Sequence, residues 1–333
     1  MTLLSPDTLR AGIAAALEAS STSPANAQSV AAALTLAEID GKKGHGLSRV
    51  PSYAGQAKSG KVQGQVSPSM SRPKPGVLAI DAGHGFAYPA FDLMLNELPS
   101  ITRDQGIAMA GVYRSHHYGV AGHHVEKAAD QGMVALLFGN TPAAMAPWGG
   151  KTALFGTNPI AFAAPIAGQP PLVIDLATSK VARGNIMAAS QRGDDIPEGW
   201  ALDADGQPTT DAKAALGGTM VPLGDAKGAA LALMIEVLAA ALIGAGFGHE
   251  ATSFFDAEGD YPNVGQLMIM IDPGAMPQVS GDDFAARMAA MAGLIADDGA
   301  RLPGSGRMAK RQAAQDGIDV NDAAWQAALD LAG

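Results

Sequence analysis

The sequence predicts an α/β protein, and three features of its apolar pattern carry that prediction. Helical spacing of apolar residues dominates the first part of the chain, strand-like runs alternate with helical ones in the middle, and helical spacing returns near the C-terminus. Apolar residues make up 47% of the 333 residues and charged residues 16%, so the chain can bury a sizeable core. One large domain or two ordinary ones are expected.

Two helices are expected at the N-terminus. Ser5 and Pro6 supply a cap residue and a first-turn proline ahead of apolar residues at helical spacing. Ser23 and Pro24 repeat this arrangement, and the second helix is expected to run to about Asp40. The chain then enters the motif GHGLSR.

The rest of the chain alternates between strands and helices. Strands are expected at 76–81, 107–112, 133–138, 172–175 and 266–271. Helices are expected at 90–98, 123–130, 178–189, 226–242, 284–295 and 322–331. The glycine- and proline-rich segment 147–165 is expected to be a cavity-lining loop, and the polar segment 191–220 a lid.

Charge and composition argue against several classes of protein. The 22 lysines and arginines against 32 acidic residues give a net charge of −10, with no basic run, which argues against nucleic-acid binding. The absence of cysteine excludes a disulfide framework and a thiol nucleophile. The apolar run 226–242 carries Lys227 and Glu236 and is shorter than a membrane span, so a buried helix and no membrane contact are expected. The chain begins like a capped helix rather than a leader, which predicts a cytoplasmic protein.

The segment from Gly41 to Tyr53, GKKGHGLSRVPSY, is the first candidate site. His45 can transfer a proton near neutral pH, and Arg49 offers the planar fork that binds a carboxylate. The alternative is a surface turn in which the glycines serve backbone geometry.

A second candidate is the histidine cluster SHHYG at 115–119, followed by His123 and His124. The zinc motif HExxH is missing and the histidine spacing does not align on one helix face, so a metal site is disfavoured. The turn from Gly119 to Gly122 lies between a strand and a helix, where backbone N–H groups can receive a phosphate. Histidines that only cap a loop remain an alternative.

Weaker signals lie further along the chain. Thr157 stands in the turn FGTNP, Asp175 ends a strand where a ribose could bind, and Lys227 heads an apolar helix. Arg301 and Arg307 flank the turn LPGSG, which could hold a phosphate or be a solvated loop. Dinucleotide, serine-hydrolase and phosphate-loop fingerprints are missing from their required contexts.

Taken together, these motifs resemble the malate/L-lactate dehydrogenase family of nicotinamide-dependent oxidoreductases, which is not the Rossmann type. The motifs are GHGLSR, SHHYG, FGTNPIAFAAP, VIDLATSK, GDAKG and RLPG. Within the family, GHGLSRVPSY, APWGG and IPEGWALDADGQPTTD are most similar to the Δ1-piperideine-2-carboxylate/Δ1-pyrroline-2-carboxylate reductase branch.

The resemblance implies a non-Rossmann cofactor-binding domain with a mostly antiparallel sheet, a helical domain formed from the chain ends, and a homodimer. We expect an N-terminal helical segment with the catalytic loop at 1–75, the NADP-binding domain with the substrate loops at 76–299, and a C-terminal segment returning to the helical domain at 300–333. The implied cofactor is NADPH, with NADH possible, and Arg301 and Arg307 are candidate partners of the 2′-phosphate.

Roles are carried over by position. His45 matches the proton donor, Arg49 the contact to the substrate carboxylate and Thr157 a substrate-side hydroxyl. The implied cofactor contacts are His117, Tyr118, Gly119, Val120, Ala121, Asp175, Leu176, Ala177, Lys227, Gly304, Ser305, Gly306 and Arg307.

The sequence departs from the reductase branch at a catalytic relay. Some members have a serine before the histidine and a downstream aspartate, where this chain has Gly44 and Asn185. Asn185 can hydrogen-bond an imidazole but cannot stabilise its charged form, so His45 acts alone or with Asp194 or Asp195.

The expected activity is NADPH-dependent reduction of a cyclic imino acid to pipecolate or proline. The nearest alternative is a 2-hydroxyacid dehydrogenase acting on malate, lactate, sulfolactate or ureidoglycolate. A metal-dependent hydrolase and a non-catalytic binding protein are more distant alternatives. The ring size of the substrate and the direction of the reaction stay open.

Overall fold

The computed structural model describes residues 1–279, 281 and 283–333. Its α-helices are α1 (Pro6–Glu18), α2 (Pro24–Ile39), α3 (Val50–Ser59), α4 (Ala87–Gln105), α5 (Ala121–Ala129), α6 (Arg183–Arg192), α7 (Ala212–Gly217), α8 (Ala226–Glu236), α9 (Phe284–Asp297), α10 (Gly306–Ala313) and α11 (Asp322–Ala332). Its strands are β1 (Thr2–Leu4), β2 (Ser69–Lys74), β3 (Val77–Asp81), β4 (Ile107–Ser115), β5 (Val134–Gly139), β6 (Ile160–Ile166), β7 (Gln169–Leu176), β8 (Ala201–Leu202), β9 (Pro208–Thr209), β10 (Thr219–Met220), β11 (Val264–Ile271) and β12 (Ile318–Val320).

The largest sheet has seven strands in the order β2, β3, β4, β11, β5, β6, β7. All neighbours are antiparallel except β3 and β4, which are parallel. The predicted mostly antiparallel sheet is therefore confirmed. Because β4 and β5 both run antiparallel to β11, their C-terminal ends lie at the same edge of the sheet.

One core lies between this sheet and the helices α4 and α5. Phe91, Met94 and Leu98 of α4 and Val125 of α5 are fully buried against the inward side chains of the strands. Removing these side chains from water supplies much of the driving force for forming this layer.

The two chain ends share a second core. Strands β1 and β12 pair antiparallel, and α1, α2 and α11 bury Leu9, Leu34 and Ala328 in one cluster. The expected helix caps are present, since Ser5 accepts a hydrogen bond from the Thr8 amide and Ser23 from the Asn26 amide. The helical unit expected from the chain ends is confirmed.

Several local predictions were wrong. The expected loop 147–165 contains the start of strand β6, because an alanine-rich stretch carries little strand signal. The expected strands did not include β2, which contains Pro73; as an edge strand it tolerates a proline, because the missing N–H interrupts no bond between central strands. Helix α10, for which no helix was expected, begins at Gly306, the last residue of the turn LPGSG.

The segment 191–220 is not a structureless lid. It contains α7 and a small sheet in the order β10, β8, β9, and its side chains Ile196 and Met220 share a buried cluster with Ile186 of α6. Because turn residues dominate its composition, its three very short strands produce no alternating apolar pattern.

Helix α8 was expected to be buried, and this was also wrong. Leu233 and Met234 of α8, and Val237 in the π-helical turn that follows, are exposed. The spacing of apolar residues indicates which face of a helix avoids water, but it does not show which part of a protein covers that face. Across the described residues, the helices are too short or too polar to cross a membrane.

Candidate active site

The topology brings the predicted site segments to one edge of the large sheet. The ends of β4 and β7 and the start of β6 lie there, as the pairs Ser115–Val264, Phe138–Ile160 and Ile160–Leu176 show. The segments that follow or precede these strands carry His117, Thr157 and Asp175.

The predicted catalytic residue His45 lies in the loop from Lys43 to Arg49, which we call the catalytic loop. This loop consists of two short 3-10 turns, Lys43–His45 and Leu47–Arg49, which lead into α3. Glu38 at the end of α2 holds this loop, because its buried carboxylate accepts a hydrogen bond of 2.7 Å from the Leu47 amide. A Cβ atom at Gly46 would overlap that carboxylate, whereas a Cβ at Gly44 would meet no atom within 4 Å. One glycine beside His45 is therefore required by packing and the other is open.

His45 is placed by stacking rather than by hydrogen bonds. Its ring stacks on that of His117, with centroids 5.3 Å apart and planes 12° apart. Its Nδ1 atom is buried and has no hydrogen-bond partner among the described residues. Burial, followed by the charge of Arg49, lowers the pKa of His45 to about 4, so the free protein holds this imidazole neutral at pH 7.

Arg49 has one satisfied and one unsatisfied part. Its Nε donates to the Gly44 carbonyl at 2.7 Å, and its guanidinium lies 4.5 Å from the centre of the Phe255 ring. Its Nη1 is buried and unpartnered within the described part of the chain. A buried donor without an acceptor is costly, so this atom is suited to bind an anionic group.

Tyr53, Tyr88 and Phe254 form the floor of the site, and no role was expected for these three side chains from the sequence. The Tyr53 hydroxyl hydrogen-bonds both His117 Nδ1 and the Tyr88 hydroxyl, and Phe254 packs its ring 5.1 Å from that of His117. Tyr53 lies four residues after Arg49 on one helical face, a spacing that could have pointed to it. Phe254 arrives from a distant part of the chain and left no such signal.

A hydrogen-bonded network fixes the loop that carries Phe254 and Phe255 to α3. His116 Nε2 pairs with Gln56 Oε1 at 2.7 Å, and Gln56 donates to the Asp256 carbonyl. Lys61, which is almost fully buried, pairs with the Asp256 carboxylate at 2.9 Å. The Phe254–Phe255 wall is thereby held against the catalytic loop.

Three of the predicted cofactor segments converge. The Gly122 amide, in the first turn of α5, donates to the Asp175 carboxylate at 2.9 Å. Gly304 has a positive φ of 73° and lies so close to the Val173 carbonyl that a Cβ would clash with it. These close backbone approaches bring the N-terminus of α5, Asp175 and the Gly304 turn together, an arrangement that fits a dinucleotide with its phosphates near the helix N-terminus and a ribose at Asp175.

The individual residues of these segments differ in what they can offer. The Tyr118 side chain is buried against Phe91, so only its backbone can contact a ligand. Ser305, Gly306, Asp175 and Leu176 are exposed. Gly119 has a positive φ of 72° and packs on the Tyr88 hydroxyl, and Val120 and Ala121 lead directly into α5.

Two charged cofactor candidates are placed differently. Arg307 donates to Glu126 at 2.7 Å and to the carbonyls of Pro171 and Gly304. Lys227, in the first turn of α8, is exposed, and its side chain makes no hydrogen bond or ion pair with a described residue.

Thr157 is held by a buried polar cluster. Its amide donates to Thr141 Oγ1 at 3.0 Å, and the next residue, Asn158, is strained at φ 33° and donates to the buried Glu236. Its hydroxyl makes no hydrogen bond to His45 or Arg49, both of which the structure describes.

The residues proposed to assist His45 do not touch it. Asn185 is exposed on α6, and Asp194 pairs with Arg192 at 2.6 Å. Asp195 pairs with Asp211 in a short β-bridge. None of them hydrogen-bonds His45 in the described structure. The part of the chain that the structure describes contains no group of three His, Cys, Asp or Glu side chains placed to hold a metal ion.

A family model described as malate/L-lactate dehydrogenase matches residues 4–328. The chain belongs to the malate/L-lactate dehydrogenase family. It is an NAD(P)-dependent oxidoreductase, and its mixed α/β fold is that of the family.

Relatives within the malate/L-lactate dehydrogenase family have different substrates in their names. The chain is 48% identical to a (2R)-3-sulfolactate dehydrogenase (NADP+) from Chromohalobacter salexigens, over 93% of this chain and 92% of that one. It is 41% identical to a Δ1-pyrroline-2-carboxylate/Δ1-piperideine-2-carboxylate reductase from Pseudomonas putida, over 89% and 87%. The crystal structure of the Δ1-piperideine-2-carboxylate reductase from Pseudomonas syringae pv. tomato superposes with a TM-score of 0.93 at 35% identity, covering 99% and 100%.

Proposed function

We propose that the protein reduces a cyclic imino acid with NADPH, converting Δ1-piperideine-2-carboxylate or Δ1-pyrroline-2-carboxylate to L-pipecolate or L-proline. Arg49 binds the carboxylate and His45 donates the proton. The observation that carries this proposal is the pair of buried, unpartnered nitrogen atoms, Nη1 of Arg49 and Nδ1 of His45, on one short loop. A 2-imino carboxylate brings an anion to the first and a basic nitrogen to the site of the second.

The state of His45 favours an imine over a ketone. NADPH supplies the hydride to the carbon of the double bond. Because the pKa of His45 is lowered to about 4, its charged form is scarce near neutral pH in the free protein. A carboxylate bound to Arg49 offsets part of the positive charge that lowers this pKa. A ring imine also takes a proton before hydride arrives, so it needs a weaker acid than a ketone does.

The wall beside Arg49 also favours a ring. Phe255 lies under the guanidinium, and Phe254 lies beside His117. Ring methylenes next to the carboxylate gain from contact with these aromatic side chains, whereas a second anionic group would be desolvated there.

The second candidate is a 2-hydroxyacid dehydrogenase, in particular one acting on sulfolactate. The 48% identical relative from Chromohalobacter salexigens supports it. A sulfonate needs a cation in addition to Arg49, and the exposed Lys42, whose charge reaches His45, could supply it.

The proposed cofactor contacts follow the three converging segments. Asp175 binds a ribose hydroxyl, and the backbone from His117 to Ala121 receives the phosphates at the start of α5. Since Arg307 already bonds Glu126, we assign the 2′-phosphate to Arg301, which is exposed beside the Gly304 turn. Arg301→Gln should then raise the KM for NADPH more than that for NADH.

The proposed enzyme is a homodimer. The large apolar side chains Leu231, Leu233, Met234, Val237 and Leu242 form an exposed group along α8 and the turn after it. A concentration of exposed large apolar side chains on one helix is typical of an interface. Sedimentation velocity should give about twice the chain mass of 33.7 kDa, and a monomer would refute the proposal.

One assay separates the two candidate functions. Oxidation of NADPH and of NADH is followed with Δ1-piperideine-2-carboxylate, Δ1-pyrroline-2-carboxylate, 3-sulfopyruvate, pyruvate and oxaloacetate. We expect the highest kcat/KM with an imino acid and NADPH. A higher kcat/KM with 3-sulfopyruvate would establish the second candidate instead.

A further inference from the structure

A row of four buried rings extends from the catalytic loop into the core. His45 stacks on His117, and the Nδ1 atom of His117 is hydrogen-bonded to the Tyr53 hydroxyl. That hydroxyl is in turn 3.0 Å from the Tyr88 hydroxyl. Tyr53 and Tyr88 are at most 3% exposed, so water does not compete for these bonds.

The direction of the hydrogen bonds follows from counting donors. If His117 donated to Tyr53 and Tyr53 to Tyr88, the Tyr88 O–H would be a buried donor without an acceptor among the described residues. In the opposite direction, Tyr88 donates to Tyr53 and Tyr53 donates to His117, which leaves neither hydroxyl donor unpaired, and the proton of His117 then lies on Nε2, which is not one of the buried unpartnered atoms of the described residues. Burial raises the pKa of Tyr53 to about 12, so its hydroxyl keeps its proton.

The donor count sets the tautomer of His117. An Nδ1 atom that accepts a hydrogen bond carries no proton, so the neutral ring has its proton on Nε2. The charged and titratable groups around His117 are Arg49, His45 and His116, and after burial each of them lowers the pKa of its imidazole. The ring under His45 is therefore both neutral and fixed in orientation.

On the basis of the proposed function, in which His45 donates the proton, we propose that Tyr53 is a positioning residue for His45. Its hydroxyl fixes the orientation and tautomer of His117, and the fixed ring holds His45 by stacking. This arrangement replaces the side-chain relay that Gly44 and Asn185 cannot form with His45. A second proton, on Nδ1 of His117 while Nε2 keeps its own, would place a positive charge against the His45 ring, which has to become charged itself.

The kinetic test compares Tyr53→Phe with Tyr88→Phe. Both variants remove one hydroxyl from the same buried row, but only Tyr53→Phe removes the bond to His117. We expect Tyr53→Phe to lower kcat about 10-fold with little change in the substrate KM, since misplacing a proton donor costs rate rather than binding. Its kcat should also decline toward acid pH where that of the wild type does not, because the free Nδ1 can take a proton. Tyr88→Phe should keep the wild-type pH profile.

Tyr261→Phe is the matched control, because its hydroxyl meets only Gln63 at 3.3 Å and its side chain is exposed. It should leave kcat and the pH profile unchanged. Equal losses in Tyr53→Phe and Tyr88→Phe with an unchanged pH profile would indicate a purely structural role and overturn the proposal.

A second measurement does not depend on turnover. Nitrogen NMR of histidine-labelled protein, assigned with His117→Asn, reports which nitrogen of His117 carries the proton. We expect protonated Nε2 in the wild type and in Tyr88→Phe, and loss of that single state in Tyr53→Phe. A proton on Nδ1 in the wild type would overturn the proposal even if the enzyme reduces imino acids. The predicted NMR result together with inactivity toward every imino and keto acid would refute the proposed function, and with it the role of His45, but not the assigned tautomer.

Discussion

Two polar clusters meet at the catalytic loop, and they differ in whether their charges are paired. Before the loop, Asp40 and Glu126 are buried and fully engaged by Arg311, whose guanidinium bonds both carboxylates at 2.8–2.9 Å. Within the loop, His45 and Arg49 each keep a buried nitrogen without a partner in the described chain. The paired cluster is complete as it stands, whereas the two unpaired nitrogen atoms can still accept a hydrogen-bond partner, and the proposed function assigns the substrate to them.

The pKa values show the same contrast. Burial alone would raise the pKa of Asp40, but hydrogen bonds from His123 and Arg311 outweigh it and lower the pKa to about 2. Nothing comparable supports the charged form of His45, whose pKa is lowered by burial and by Arg49. The paired cluster favours its charged groups, whereas the surroundings of His45 favour the neutral imidazole.

The largest effect is expected from His45→Ala. Losing the proton donor should lower reductase turnover by about 10²- to 10⁴-fold, the usual contribution of general acid catalysis. The Kd for NADPH, measured by fluorescence titration, should stay the same. His249→Ala, at an exposed histidine outside the site, is the control and should keep full activity. If turnover and cofactor affinity both survive in His45→Ala, this residue has no part in the mechanism.

A change in the paired cluster should reduce stability instead. Arg311→Met leaves two buried carboxylates short of a partner, so the free energy of unfolding should fall by about 3–5 kcal/mol. The exposed pair of Arg192 and Asp194 provides the control, since Arg192→Met should cost at most about 1 kcal/mol. Urea unfolding followed by circular dichroism measures both. Equal, small losses would show that the Arg311 cluster contributes no more than a surface ion pair.

The sequence predicted the features whose cause is local. Ser5 and Ser23 cap their helices as expected, and the spacing of His45 and Arg49 on one loop was visible from the motif alone. Partners brought together by folding were not visible. Arg307 and Glu126 are 181 positions apart, and Phe255, which lies against the Arg49 guanidinium, belongs to the segment between α8 and β11. Such pairings depend on strand order, which apolar periodicity does not determine.

The buried histidines should make stability depend on pH. Burial lowers the pKa values of His116 and His124 to about 3 from the ordinary 6.5. Between these values the unfolded chain binds more protons, so stability is lost as the pH falls below 6.5. From pH 6.5 to 5 the loss should be roughly 2 kcal/mol for each histidine, at about 1.4 kcal/mol per pH unit. Asp40, with its pKa of about 2, should contribute no loss in this window.

Unfolding midpoints in urea at several pH values measure this dependence. His124→Gln should reduce the slope between pH 6.5 and 5, because it removes one of the histidines whose pKa is lowered by folding. A slope that stays flat in the wild type would mean that the buried imidazoles gain protons without unfolding. Water would then reach them more readily than their packing indicates.

The smallest effect is expected from Gly44→Ser, which tests whether the unpaired nitrogen of His45 matters. The open space at Gly44 admits a side chain, and a serine stands there in some members of the reductase branch. A hydrogen bond from the new hydroxyl to His45 should raise turnover with a keto acid by about 2- to 10-fold, equivalent to about 0.5–1.5 kcal/mol. Turnover with an imino acid should hardly change, because a protonated imine needs less help from the acid.

Gly46→Ser is the matched control for this substitution, since a Cβ there would overlap the Glu38 carboxylate and displace the loop. It should lower turnover with both substrate classes. If Gly44→Ser instead lowers turnover with the imino acid as strongly as Gly46→Ser does, then the empty position beside His45 is a requirement of this enzyme's substrate, and stacking on His117 is the arrangement that the reaction needs.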